Sequence, residues 1–159
     1  MKKKHLSVLG IGPIYVGIIV SITIIISIIE MYNIIPHYPF PINYILPCIG
    51  IIILTIGIIL WIMAVISSKL TKNIKLNILI TTGAFAIVRN PIYSAFMFIC
   101  TGVIFIFNNM ILIIIPVFYW ELMTILLINT EEKWLKELYK EEYVNYCKKV
   151  NRCIPMIKK

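Results

Sequence analysis

The 159-residue chain is 60% hydrophobic and 14% charged, against roughly 45–50% apolar and about 25% charged in a typical soluble domain. A soluble fold of this size cannot hide so many Ile, Leu and Val side chains without large exposed patches, so lipid is the expected solvent. Fifteen Lys and Arg against seven acids give +8, and the position of those charges decides between a nucleic-acid partner and a membrane.

In chain order, Val8 to Glu30 supplies the roughly 20 apolar residues needed to cross about 30 Å of hydrocarbon. Lys2, Lys3 and Lys4 precede it, but the run is too long for a signal peptide and lacks a small-residue cleavage site, which predicts a permanent anchor. Gly10, Gly12 and Gly17 make no GxGxxG motif, and no strand precedes them, so a soluble nucleotide-binding fold is not indicated. Met31 to Asn43 carries Pro36, Pro39 and Pro41 and reads as an irregular external connection in which His37 is solvated. Tyr44 to Ile66 is the second span, where Gly50 and Gly57, one heptad apart, let another helix approach. Pro91 to Phe107, near the lower length limit, and Met110 to Asn129 make a helical hairpin about a polar Asn108–Asn109 turn. Beyond it, Leu135, Tyr139, Tyr143, Tyr146 and Val150 recur every three or four residues and mark one face of a C-terminal amphipathic helix. The expected architecture is all-α: a polytopic membrane bundle of four spans plus that helix, in a single domain over residues 1–159.

The basic residues partition cleanly. Lys2–Lys4 precede the first span; Lys69, Lys72, Lys75 and Arg89 lie between the second and third; Lys133, Lys136, Lys140, Lys148, Lys149, Arg152, Lys158 and Lys159 follow the fourth. The two remaining loops have none, which by the positive-inside rule predicts a multi-pass protein with both termini in the cytoplasm. Topology and anionic headgroups then account for the charge without nucleic acid. His5 and His37 have no partners at metal spacing. Cys48, Cys100, Cys147 and Cys153 form no CxxC or zinc pattern and read as filler in a reducing compartment. No metal is expected, and the sequence does not fix an oligomeric state.

Two polar segments flank the hairpin. In the first, Pro91 can start a helix without losing a hydrogen bond, and Asn90 is placed to cap it. Arg89 and Asn90 therefore sit beside exposed helix N–H groups, a setting that suits an anion. The second opens on Glu131 and Glu132 directly after the fourth span, where cations are the better match for a helix C-terminus; two acids there invite a cationic ligand. Glu121, midway along the fourth span, is costly in lipid and expected to be functional. It and Glu132 are eleven residues apart, which at about 100° per residue predicts a shared helix face.

The pattern TGAFxxVRNPxYS, a hairpin, then EExxLxxxYxxEYxxYxxxVxRxIP resembles the isoprenylcysteine carboxyl methyltransferase and phospholipid methyltransferase family of integral membrane enzymes, over about Leu79 to Pro155. The resemblance implies S-adenosylmethionine held by the last two spans and the C-terminal segment. It implies cofactor contacts at Gly83, Phe85, Asn90, Pro91, Tyr93, Glu131, Glu132, Tyr143, Tyr146 and Arg152; for the cofactor ammonium the expected contact is Glu132, with Glu131 beside it. Arg89 and Glu132 are the expected catalytic pair, and Arg89 and Glu121 the expected contacts to a lipophilic acceptor. Three positions depart from the family pattern: Ala84 replaces Pro, Asn90 replaces His and Lys140 replaces Gly. Asn cannot take a proton near neutral pH, which puts any imidazole-dependent step in doubt. The leading expectation is an isoprenylcysteine carboxyl methyltransferase-like enzyme, whose ionised acceptor needs aiming and no base. Phospholipid N-methylation, an NADPH-dependent sterol reductase of related architecture and a non-catalytic membrane scaffold are the alternatives.

Overall fold

The computed structural model describes residues 11–67 and 79–155. Within them the chain is helical, with no strand. α1 (Gly12–Met31), α2 (Ile45–Ser67), the one-turn α3 (Ala84–Ile87) and α4 (Pro91–Ile106) are followed by α5 (Ile114–Asn129), entered through a 3₁₀ turn at Met110–Ile113, and by α6 (Glu131–Lys149). The lysines at 2–4, 69, 72, 75, 158 and 159, His5, Gly10 and the start of the first predicted span lie outside the described residues.

Among the described residues, three stretches are long and apolar enough to cross a membrane: Gly12–Met31, Ile45–Ile66 and Met110–Asn129. α4 has 16 residues, about 24 Å at 1.5 Å per residue. Its place in the bundle explains how so short a helix is tolerated. α4 is the hub, packed on α2 along one side and on α1 and α5 along the other. Ala95, Met97, Cys100, Thr101, Gly102 and Ile104 are all buried, whereas α1, α2 and α5 turn side chains such as Ile25, Ile52 and Ile125 outward. Gly50 and Gly57 serve close approach as expected. A Cβ on Gly50 would lie 2.8 Å from the Gly102 carbonyl oxygen, and one on Gly57 2.9 Å from that of Ala95. α2 and α4 therefore meet backbone to backbone, the contact small residues permit in lipid. The main core gathers Tyr15 and Ile19 of α1, Met97 and Cys100 of α4, Tyr119, Met123 and Leu127 of α5, and Cys153.

The connection after α1 is more than a loop. Asn109, 1% exposed, donates from Nδ2 to Glu30 Oε1 at 2.7 Å and to the Pro36 carbonyl at 3.1 Å. Its Oδ1 accepts from the amides of Tyr38 and Ile111. His37, expected to be solvated, is 44% exposed and also has its Nδ1 3.5 Å from Glu30 Oε2. The proline-rich segment is thus stitched to the hairpin turn, because a buried Glu and a buried Asn must each find partners.

Two backbone breaks change the sequence reading of the C-terminal half. Thr130 leaves helical geometry at φ −124°, ψ −87°, separating α5 from α6. The predicted shared face of Glu121 and Glu132 required one continuous helix; instead Glu121 is exposed on α5 and Glu132 is 3% exposed on α6. The same break moves Glu131 and Glu132 from the end of a span to the first turn of α6, where carboxylates suit the positive end of the helix dipole. Within α6, Lys140 adopts φ 46°, ψ −119°, a left-handed conformation costly for any residue with a Cβ.

Candidate active site

The two polar segments meet at one place. Val88 and Asn151 form a single parallel β-bridge, and the Arg89 amide donates to the Asn151 carbonyl at 2.9 Å. Asn90 precedes α4 as expected, with Pro91 in the first turn, but its side chain caps nothing. Its Nδ2 donates instead to the Arg152 carbonyl at 3.3 Å, a second tie between the segments. Gly83 takes φ 62°, ψ −132°, a region open to glycine, and turns the chain into α3. There the Phe85 carbonyl accepts the Tyr146 hydroxyl at 2.5 Å.

Glu132 is the centre. Arg152 grips it with two hydrogen bonds, Nε to Oε1 at 2.6 Å and Nη2 to Oε2 at 3.0 Å. Arg89 Nη1 lies 3.4 Å from Oε1, with the Arg89 side chain 9% and the Glu132 side chain 4% exposed. Two guanidiniums therefore share one carboxylate. Burial alone would raise the Glu132 pKa, but the hydrogen bond from Arg152 and the charges of Arg89, Arg152 and Lys136 outweigh it and hold the carboxyl below its ordinary value. The bond to Glu132 in turn raises Arg152. Tyr143 and Tyr146, buried against Val150, have phenols pushed up by that burial and stay neutral beside the ion cluster. Arg89 Nε is buried without an acceptor.

A second junction adjoins the first. Glu131 Oε1 accepts the Tyr93 hydroxyl at 2.6 Å and the Ile11 amide at 2.8 Å. α1 can come this close because Gly12 has no Cβ, which would run into the Tyr93 ring. Glu131 thereby joins the starts of α1 and α6 to the first turn of α4.

Of the residues singled out in the sequence, Gly83, Phe85, Arg89, Asn90, Glu132, Tyr143, Tyr146 and Arg152 come together, with Pro91, Tyr93 and Glu131 alongside. Glu121 is not brought to them; it faces outward on α5. Sequence reasoning missed Cys147, whose Sγ accepts from Arg89 Nη1 at 2.5 Å. Its position one turn after Tyr143 on the tyrosine face was the available signal. The approach of Ile11 and Gly12 was also missed, since no local pattern reports a contact across the bundle.

A family model described as phospholipid methyltransferase matches residues 43–142, more than half of the chain. The chain belongs to that family. Membrane methyltransferase is accordingly its class. The matched stretch takes in α2, which the sequence motifs did not cover, and ends before Tyr143, Tyr146 and Arg152. No curated protein and no solved structure matches the chain.

Proposed function

We propose that the chain transfers a methyl group from S-adenosylmethionine to a lipophilic acceptor at the cytoplasmic membrane face, the acceptor being a carboxylate of the isoprenylcysteine type. The observation that carries this reading is the charge imbalance around Glu132. Arg89 and Arg152 share one buried carboxylate, and Arg89 Nε has no acceptor. A buried donor left unmade is costly, and a second anion completes the set. The cofactor's amino-acid end and a prenylcysteine both carry a carboxylate.

The residues present fit the cofactor. Glu132 acts as a positioning residue that fixes both guanidiniums, since both of its oxygens are already taken by Arg152. Arg152 is then the holder of the cofactor carboxylate. The cofactor ammonium falls to Glu131, which receives its protein hydrogen bonds on Oε1 alone among the described residues. Gly83, Phe85, Asn90, Pro91, Tyr93, Tyr143 and Tyr146 complete the surround. Bound there, S-adenosylmethionine supplies an electrophilic methyl group on a sulfonium. Arg89 aims the acceptor carboxylate, which is ionised at neutral pH and needs no base, while Tyr143 and Tyr146 help to exclude water. Asn90 holds the Arg152 carbonyl, a task for which an amide suffices. In this reading α4 is a fourth span, and the basic residues set both termini in the cytoplasm.

The family's description favours a second acceptor, the amine of a phospholipid. That amine must first lose a proton, which calls for a nearby base, and Glu132 is held ionised between two arginines rather than left open to that task. Membranes containing the protein, given methyl-labelled cofactor and either a prenylcysteine or phosphatidylethanolamine, test the choice. Label in a base-labile ester supports the carboxylate; label retained on a headgroup amine replaces it with the second reading; absence of cofactor binding by calorimetry removes both.

A further inference from the structure

Cys147 reads as filler in the sequence, but its surroundings set it apart from the other thiols. Cys100 and Cys153 are buried in the main core. Cys147 is only partly buried; it packs on the tyrosine face of α6 against Tyr143, Tyr146 and Val150, and its sulfur accepts a hydrogen bond from Arg89 Nη1. The same Nη1 lies 3.4 Å from Glu132 Oε1. That nitrogen is therefore held from two sides, while Nε of the same guanidinium is buried without an acceptor.

A guanidinium can grip a carboxylate with its two terminal nitrogens or with Nε and Nη2 along one side. Arg152 uses the second fork on Glu132. With Nη1 of Arg89 engaged, the same fork is what Arg89 has left to offer. The kind of group on Nη1 matters as much as its place. Arg89 and Arg152 set against Glu132 leave one positive charge in excess, and among the described residues no second acid pairs with either arginine. A carboxylate at position 147 would bind Nη1 strongly and cancel that excess. Sulfur is a weak acceptor; a thiol engages the nitrogen and leaves the charge available to a ligand.

We propose that Cys147 is a positioning residue of the methyl-transfer site: it engages Nη1, so that Arg89 turns its Nε and Nη2 edge, with its charge uncancelled, to the acceptor carboxylate. The inference rests on the reading of the chain as a carboxyl methyltransferase. The test is methyl transfer to a prenylcysteine by the full chain in membranes, for the parent and for Cys147→Ala, Cys147→Asp and Cys147→Ser. Acceptor KM and kcat, cofactor Kd by calorimetry and the unfolding midpoint in detergent are measured for each. Cys147→Ala raises acceptor KM about tenfold, the order expected when a hydrogen bond to a charged group is lost, and leaves cofactor Kd in place. Cys147→Asp gives Nη1 an acceptor again and unfolds no more readily than the Ala variant, yet raises acceptor KM further, because the surplus charge is gone. Cys147→Ser, whose hydroxyl can accept from Nη1, brings acceptor KM back toward the parent. A residue that only packed would not separate stability from acceptor binding in this way. Ala and Asp variants that match the parent in acceptor KM, or that lose cofactor affinity in the same proportion, overturn the proposal and leave the methyl-transfer reading standing. A parent that binds cofactor and methylates no prenylcysteine overturns that reading, and the proposal with it.

Discussion

The bundle holds a buried glutamate near each end of its helices, and the two are satisfied in opposite ways. Glu30, at the end of α1, takes a hydrogen bond from the Asn109 amide and has a half-exposed His37 beside it. No arginine or lysine is seen beside it among the described residues, and the network closes on backbone groups of the Pro36–Tyr38 segment. Glu132, at the start of α6, lies between two arginines, one of them with a donor left over. A network closed on amide donors and backbone groups fixes a fold. A network with cationic donors to spare fixes a fold and still has affinity for an anion.

The sharpest way to break this comparison is to neutralise Glu132. Glu132→Gln leaves the nearly buried Arg89 and the partly exposed Arg152 guanidiniums without their counter-ion and should cost about 3 kcal/mol, the low end of the penalty for removing one member of a buried ionic set. Chemical or thermal unfolding in detergent reads it, and calorimetry should show weaker cofactor binding in parallel. A related signature lies in the pH dependence. Because the Glu132 pKa is lowered in the folded state, the unfolded chain takes up its proton first, and this part of the stability is complete only above the ordinary carboxylate value. It is lost as pH falls below about 4.3 and through the lowered folded value. The parent should therefore lose stability over that acid window, and the Gln variant should lack that component.

Arg89→Ala tests whether the spare donor serves chemistry. Turnover should drop by about 100-fold through misplacement of the acceptor, with a smaller change in cofactor affinity, as initial rates against cofactor concentration would show. Equal losses in both would make Arg89 a cofactor holder. At the opposite end, Asn109→Ala should destabilise by about 2–3 kcal/mol by stranding Glu30 and two backbone amides, while kcat/KM per folded molecule stays at the parent level. A catalytic defect there would erase the contrast between the two ends. The smallest effect concerns α6 alone. Lys140→Gly should stabilise by about 1 kcal/mol, since glycine accepts φ 46° without the cost a side chain carries. An unchanged midpoint in an unfolding titration would show that the chain relaxes elsewhere.

Much of this molecule was legible in its residues. The apolar runs located α1, α2, α4 and α5 to within a few residues, because a helix in lipid must be both long and greasy. The two polar motifs named most of the clustered side chains, since charged residues beside apolar runs are expensive enough to be conspicuous. Periodicity failed where it assumed a continuous helix. Thr130 breaks the phase between Glu121 and Glu132, and no threonine announces such a break. The sequence also gave no sign that Asn90 would reach Arg152 instead of capping α4, or that Cys147 would lie against Arg89.

Composition and the apolar runs thus pointed to a helical membrane protein with two polar motifs flanking its last two apolar helices. Only the tertiary structure decided how each acid is used: Glu30 to close a turn, Glu131 to join three helix starts, Glu132 to hold two arginines, Glu121 to face outward. The reason is that hydrophobicity acts through the summed surface of a segment and so survives in a one-dimensional pattern. A hydrogen bond or ion pair depends on distances of about 3 Å between groups far apart in the chain, and the packed fold alone sets those.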